Sequence, residues 1–300
     1  MSKADRFGYL AAFLGPALWG MLPIFYVLLE GYAPVEIVVQ RSLWAFLLLA
    51  LFYGVRGRLG EVFGLFGFYY HHQPRQLIFM LIGTVMIAVN WTVFVYAVGE
   101  VRVVEASFGY FVYPLIAVGA SVLFLGERLD RRGKIALVLS AVGVAIKGWS
   151  IGAVPDISLI LAVSFALYAV VRKKIAISSL DGFFCETIML MPIVLSFLSW
   201  HVSQGGSLFF DGTLYGLCLA IACGVITTVP LVLFLRGNKA LDLSLAAFIF
   251  YVNPSLQLLC GVWFFDEAFT SKDLMAFGCI WAGLIIQFVR RPAFRRPSMR

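Results

Sequence analysis

Residues 107–127 read SFGYFVYPLIAVGASVLFLGE, and residues 247–267 read AFIFYVNPSLQLLCGVWFFDE. At a fixed offset of 140, Phe108/Phe248, Val112/Val252, Pro114/Pro254, Val122/Val262, Phe124/Phe264 and Glu127/Glu267 coincide. Each stretch is apolar, has a proline near its centre and closes on a carboxylate. At 1.5 Å rise per residue, about twenty helical residues cross a hydrocarbon core. The recurrence of one such segment half a chain apart predicts two related halves.

Composition sets the medium. The 300 residues are 62% hydrophobic and only 13% charged, against roughly 25% charged in soluble domains. Ten apolar segments follow one another, at about 8–29, 34–54, 77–98, 102–125, 132–149, 154–172, 182–202, 212–235, 242–265 and 272–290. The expected fold class is an all-α integral membrane protein with ten transmembrane helices. Only 55–76 and 203–211 have loop length, and neither is long enough for an extra domain. The first segment lacks a small-residue cleavage site, so no cleavable signal peptide is expected. The five cysteines all fall inside apolar segments with no CxxC pair, the pattern of packing residues rather than of a disulfide framework or metal knuckle.

Basic residues orient the chain, because lysine and arginine flanking spans are retained in the cytoplasm. Of 23 such residues, nineteen fall in one set of connections and tails, and only Arg102, Lys147 and Lys272 in the alternate set. Arg41 remains inside a span. Both termini are therefore expected in the cytoplasm, and the net charge of +7 needs no nucleic acid to explain it. Segments four and nine carry the matching stretches, so residues 1–150 and 151–300 are expected to hold five spans each. An odd number inverts the second half relative to the first. Inverted halves are the architecture of alternating access.

Short motifs lie along the whole chain: Leu18-Trp19-Gly20, Arg41 with Trp44, Asn90-Trp91 with Phe94, and Glu105-Ala106-Ser107-Phe108-Gly109-Tyr110. Ser164-Phe165 with Tyr168, Arg172-Lys173-Lys174, Glu186-Thr187 and Gly224-Val225-Ile226-Thr227-Thr228-Val229-Pro230 follow. In this order and spacing the chain resembles the RarD-type permeases of the drug/metabolite transporter (DMT) superfamily, whose repeats are called EamA domains. The resemblance implies ten spans, cytoplasmic termini, a bacterial inner (plasma) membrane location and movement of small organic solutes. The family name comes from a chloramphenicol-sensitivity phenotype, which does not make chloramphenicol a substrate. Where such proteins tend to read Gln-Tyr before the proline of the ninth span, this chain has Phe250-Tyr251.

Polar groups within spans are the candidate working residues, because they are rare there and face a cavity or a partner. Arg41 lies seven residues, about 10 Å, inside its span. Glu105 lies at similar depth, so either the two form a packing ion pair or Arg41 meets a carboxylate solute bidentately. Glu186, a turn inside the seventh span, either carries a proton during transport or pairs with the 172–174 cluster. Glu105 and Glu186 are thus the coupling candidates. Asn90 and Asn253 are amides that need partners or water. Pro114 and Pro254 are expected kinks or joints, since each removes one backbone donor. Glu127 and Glu267 are expected to cap or gate opposite faces. Trp19, Trp91, Tyr110, Tyr113, Tyr168 and Tyr251 lie deep, and the resemblance places their spans around the central cavity. Trp149 and Trp200, near span ends, read as interfacial. His71-His72 has no further ligand cluster, so no metal is expected.

The sequence contains no HExxH or GxxxxGK[ST], which sets aside zinc-protease chemistry of that type and direct ATP drive. A secondary transporter is the expected function. A non-transporting scaffold or a channel is the alternative.

Overall fold

The computed structural model describes residues 3–99, 103–151, 156–204, 213–264, 266 and 269–288, and they are almost wholly helical. The first span is α1 (Lys3–Gly20), which breaks at Met21 and resumes as α2 (Leu22–Tyr26) and a 3₁₀ turn, Val27–Leu29. The chain continues with α3 (Pro34–Val55), α4 (Leu59–His72), α5 (Pro74–Gly99), α6 (Val103–Leu125) and α7 (Arg131–Ile151). It then forms α8 (Asp156–Lys174), α9 (Ser179–Ser203), α10 (Leu214–Ala240), α11 (Leu243–Phe250), α12 (Val252–Phe264) and α13 (Ser271–Phe288).

Local chemistry accounts for several boundaries. Pro34 opens α3 after an extended Ala33, a position where its missing N–H costs nothing. Ser178 caps α9 by accepting from the Asp181 amide at 3.0 Å, and Thr213 caps α10 by accepting from Gly216 at 3.0 Å. Such caps satisfy amide donors that the helix itself leaves open.

Eight stretches of described helix are long and apolar enough to cross a membrane. The chain is a multi-pass membrane protein. The long helices α8 and α13 are not among the eight. The ends of α8 carry Asp156 and the Arg172-Lys173-Lys174 run, and α13 begins with Lys272-Asp273. Large apolar side chains point outward along the shafts, among them Leu51, Leu123 and Ile193, as a lipid-facing surface requires. Trp149 is 87% exposed at the end of its helix.

The segment read as a loop at 55–76 is corrected by α4. Val62 and Tyr69 are buried at a seven-residue spacing and face α3, α5 and α9, while Tyr69 donates to the Ala176 carbonyl at 3.2 Å. The two repeated prolines also differ. Helix α6 continues through Pro114, so no break forms there. The ninth span splits at Tyr251, whose amide reaches back only three residues to Phe248 at 3.3 Å. Pro254 has no N–H for the Phe250 carbonyl, and Asn253 ties the break to α1 through the Pro16 carbonyl at 3.3 Å.

Helix neighbours follow a pattern. α1 packs on α10 and α5 on α8; α3 packs on α10 and α5 on α9; α6 packs on α8 and the α11–α12 span on α1. With α1–α2 and α11–α12 each taken as one unit and α4 left out, each pairing becomes its partner on moving five units along the chain. The contacts α7–α13, α3–α9 and α6–α11 map onto themselves.

Candidate functional site

A cavity of about 670 Å³ lies among α1, α2, α3, α5, α6, α8, α11 and α12. Its wall includes exposed residues of the α2–α3 connection, Val27, Glu30 and Gly31, which mark the mouth. The opposite end of the molecule carries the basic connections around 126–131, 172–178 and 236–242. Trp19, Phe165 and Phe250 floor the cavity. Beneath them Tyr113 and Phe234 complete a plug: the Tyr113–Phe250, Tyr113–Phe165 and Phe165–Phe234 ring centres are 4.5, 4.9 and 5.0 Å apart. Rings from α1, α6, α8, α10 and α11 thus meet, so that moving any one of these helices disturbs the seal.

Six of the sequence-derived candidates converge on this wall: Trp19, Arg41, Asn90, Trp91, Tyr110 and Asn253. Arg41 donates from Nε to Thr227 Oγ1 at 2.8 Å and from Nη1 to the Tyr26 hydroxyl at 3.2 Å. Its guanidinium carbon lies 5.5 Å from the centre of the Trp91 ring, within cation–π range. Asn90 donates to the Leu161 carbonyl at 3.0 Å and to Ser164 Oγ at 3.2 Å, pinning α5 to α8. Asn253 keeps its Oδ1 buried without a hydrogen-bond partner.

Tyr113, Tyr168 and Tyr251 do not line the cavity. Tyr113 sits almost one turn beyond the wall residue Tyr110, and Tyr168 almost one turn beyond Phe165. Tyr251 follows Phe250 and is rotated by about 100° around the helix axis. Each is buried in the packing below or beside the floor. The side chain of Glu105 lies outside the described residues, as do Arg102 and Glu267.

Tyr26 and Thr227 hold Arg41; sequence reasoning names Thr227 only as part of the Gly224–Pro230 motif and does not name Tyr26. Thr227 was visible as a polar residue in an otherwise apolar span.

The closed end is tied by polar contacts. Arg172 and Glu186 are buried to 1% and 0% side-chain exposure, with Nε and Oε1 3.2 Å apart. Tyr168 donates to Glu186 Oε2 at 2.9 Å. Arg172 Nη2 donates to the Ser179 carbonyl at 3.1 Å, while Nε and Nη1 find no hydrogen-bond geometry. Asp181 accepts from the Tyr53 hydroxyl. Lys239 donates to the carbonyls of Ile175 and Ile177. Together these contacts join α3, α8, α9 and α10.

Glu127, in the connection after α6, caps α11. Oε1 accepts from the Leu243 amide at 2.6 Å, and Oε2 from the Ser244 amide at 2.9 Å and hydroxyl at 2.7 Å. Lys173 Nζ stands 3.4 Å away. Burial pushes this carboxyl pKa up, but the bonds from Ser244 and Leu243 and the Lys173 charge outweigh it, and the net shift is down. A depressed folded-state pKa contributes stability above the unfolded value of about 4.3, lost as pH falls through the folded value. Acidification below about pH 4 is therefore expected to lower the melting temperature of the parent more than that of Glu127→Gln. Equal acid sensitivity in melting curves of both would remove Glu127 from this role.

Comparison with known proteins places this geometry. The EamA-like transporter family matches residues 6–148 and again residues 157–289. The chain belongs to the EamA-like transporter family. It is 34% identical over 279 residues to an uncharacterized transporter of Vibrio cholerae, covering 93% of this chain and 91% of that protein. It is 33% identical to the uncharacterized transporter YojE of Bacillus subtilis, at 94% and 93% coverage. To the protein RarD of Escherichia coli it is 34% identical, with 95% of each chain covered. Within the EamA-like family the chain is thus a RarD-type permease of the DMT superfamily. One solved crystal structure aligns at a TM-score of 0.69 over 96% of this chain and 99% of that one. At 16% identity it speaks to the fold alone.

Proposed function

We propose that this EamA-family transporter moves small organic solutes by alternating access between two inverted five-span halves, residues 1–150 and 151–300. The observation that carries this reading is the cavity, with a mouth at one end and an aromatic plug and polar ties at the other. Supporting it are the sequence repeat at 140 residues, the helix contacts that recur five spans along, and the α8 and α13 helices that bring the spans to ten. The basic connections support a cytoplasmic position for the closed end and both termini, and on this reading the described state faces outward. The bacterial relatives support the plasma, or bacterial inner, membrane. Protons are the proposed coupling ion, through Glu105 or Glu186.

Counterflow in proteoliposomes tests this. Solutes drawn from amino acids, related metabolites and chloramphenicol are first screened for thermal stabilisation, since a ligand of the native state must raise apparent stability. A stabilising solute is expected to exchange across the bilayer with saturation. Binding without exchange would favour a scaffold, and non-saturating flux a channel. An imposed pH gradient is expected to change the rate, and neutralising the responsible glutamate to abolish that dependence. If Glu105→Gln and Glu186→Gln both retain it, neither residue carries the proton.

A further inference from the structure

The chemistry of the cavity becomes specific at Arg41. Its guanidinium is fixed by side chains of three other helices: Thr227 of α10, Tyr26 of α2 and the Trp91 ring of α5. These partners are neutral, and among the described residues no carboxylate lies within ion-pair distance of it. A guanidinium has five N–H donors in a planar fork, and these two hydrogen bonds use two of them. Arg41 is 7% exposed, and it lines the cavity. A cation in such apolar surroundings is costly until a counter-charge arrives. Among the described wall residues the acidic one is Glu30, and it stands at the mouth.

The rest of the wall is shaped for a flat body. Trp19, Trp91, Phe94, Tyr110, Phe165 and Phe250 supply rings, and the volume suits a drug-sized molecule. We propose that the solute is an organic carboxylate on a flat apolar body, its anion received by Arg41 and its body stacked on the aromatic wall. The proposal deepens the transporter reading and rests on it. Two parallel N–H bonds from one guanidinium match a carboxylate in geometry as well as charge. An amine of the same shape meets the Arg41 charge instead and is repelled. Thr227 and Tyr26 act as positioning residues, setting the plane in which the fork is offered.

The test uses the purified full-length chain and matched ligands that differ only in the head group. 3-Phenylpropanoate, its primary amide and the corresponding amine, together with the same triplet on a naphthyl body, are titrated by calorimetry. The acid is expected to bind about 10- to 100-fold more tightly than its amide, the range of one charge-assisted contact. Arg41→Gln is expected to bring the acid down to the amide's level without changing the amide, and Arg41→Lys to retain part of the difference. Equal binding of acid and amide by the parent, as would follow if Glu105 already neutralises Arg41, overturns the carboxylate class and leaves the transporter reading standing. Tightest binding by the amine does the same. Binding of no member, by protein that still melts cooperatively, overturns the carboxylate class and also counts against the cavity as the solute site.

Discussion

Arg172→Leu is expected to lower stability by about 3–5 kcal/mol, the cost of leaving one member of a buried ion pair without its partner. The substitution strands the Glu186 carboxylate at full burial with the Tyr168 hydroxyl as its remaining donor. It also frees the Ser179 carbonyl, which accepts from Arg172 Nη2. The melting transition in detergent reads the effect. Arg172→Leu combined with Glu186→Leu is expected to recover most of the loss, because replacing both charges by apolar groups removes the desolvation cost together with the attraction. If the double variant melts as low as the single one, the packing of the Arg172 stem, not its charge, is what the closed end needs. A second readout belongs to function. The cluster bridges α8 and α9 at the end that alternating access has to open, and three of its polar atoms are already without hydrogen-bond geometry. A network satisfied only in part is a weak point in a low-dielectric interior. In the double variant the exchange rate is therefore expected to change even where stability is recovered.

Gly237→Ala is the second large effect. Where α10 crosses α1, a Cβ on residue 237 would lie 2.5 Å from Ala12 Cα and 2.7 Å from Ala12 N. These are backbone atoms, so no rotamer change relieves the overlap, and the two helices have to separate. Overpacking of this kind costs typically 1–3 kcal/mol. Here it also spreads to the plug, since Trp19 on α1 and Phe234 on α10 stand 5.6 Å apart between ring centres. A lower melting temperature and a faster solute leak are expected together. Ala12→Gly in the same chain is expected not to restore either, because the obstructing atoms belong to the backbone. Recovery by Ala12→Gly would show that the crossing is looser than the geometry states.

The membrane class, most of the apolar segments and the family were legible from the order of residues. The hydrocarbon core imposes a length and an apolar composition on each span, and both survive in a one-dimensional pattern. The polar candidates were also legible as a set, because polarity is rare within a span. Which of them share a wall was not. Tyr110 and Tyr113 belong to one motif-bearing helix and differ by three residues, yet one faces the cavity and the other closes it from below. Helical period gives relative angles around one axis, and only the placement of neighbouring helices decides which angle faces the cavity. The same limit hid Tyr26 and Thr227 as the holders of Arg41, since they come from spans one and eight. It also concealed α4, whose buried Val62 and Tyr69 gain their meaning only from the helices they face. The two prolines carry the lesson furthest. Sequence set them at equivalent positions, but a missing N–H only permits a break, and the tie between Asn253 and the Pro16 carbonyl in a distant helix accompanies the break at one site alone.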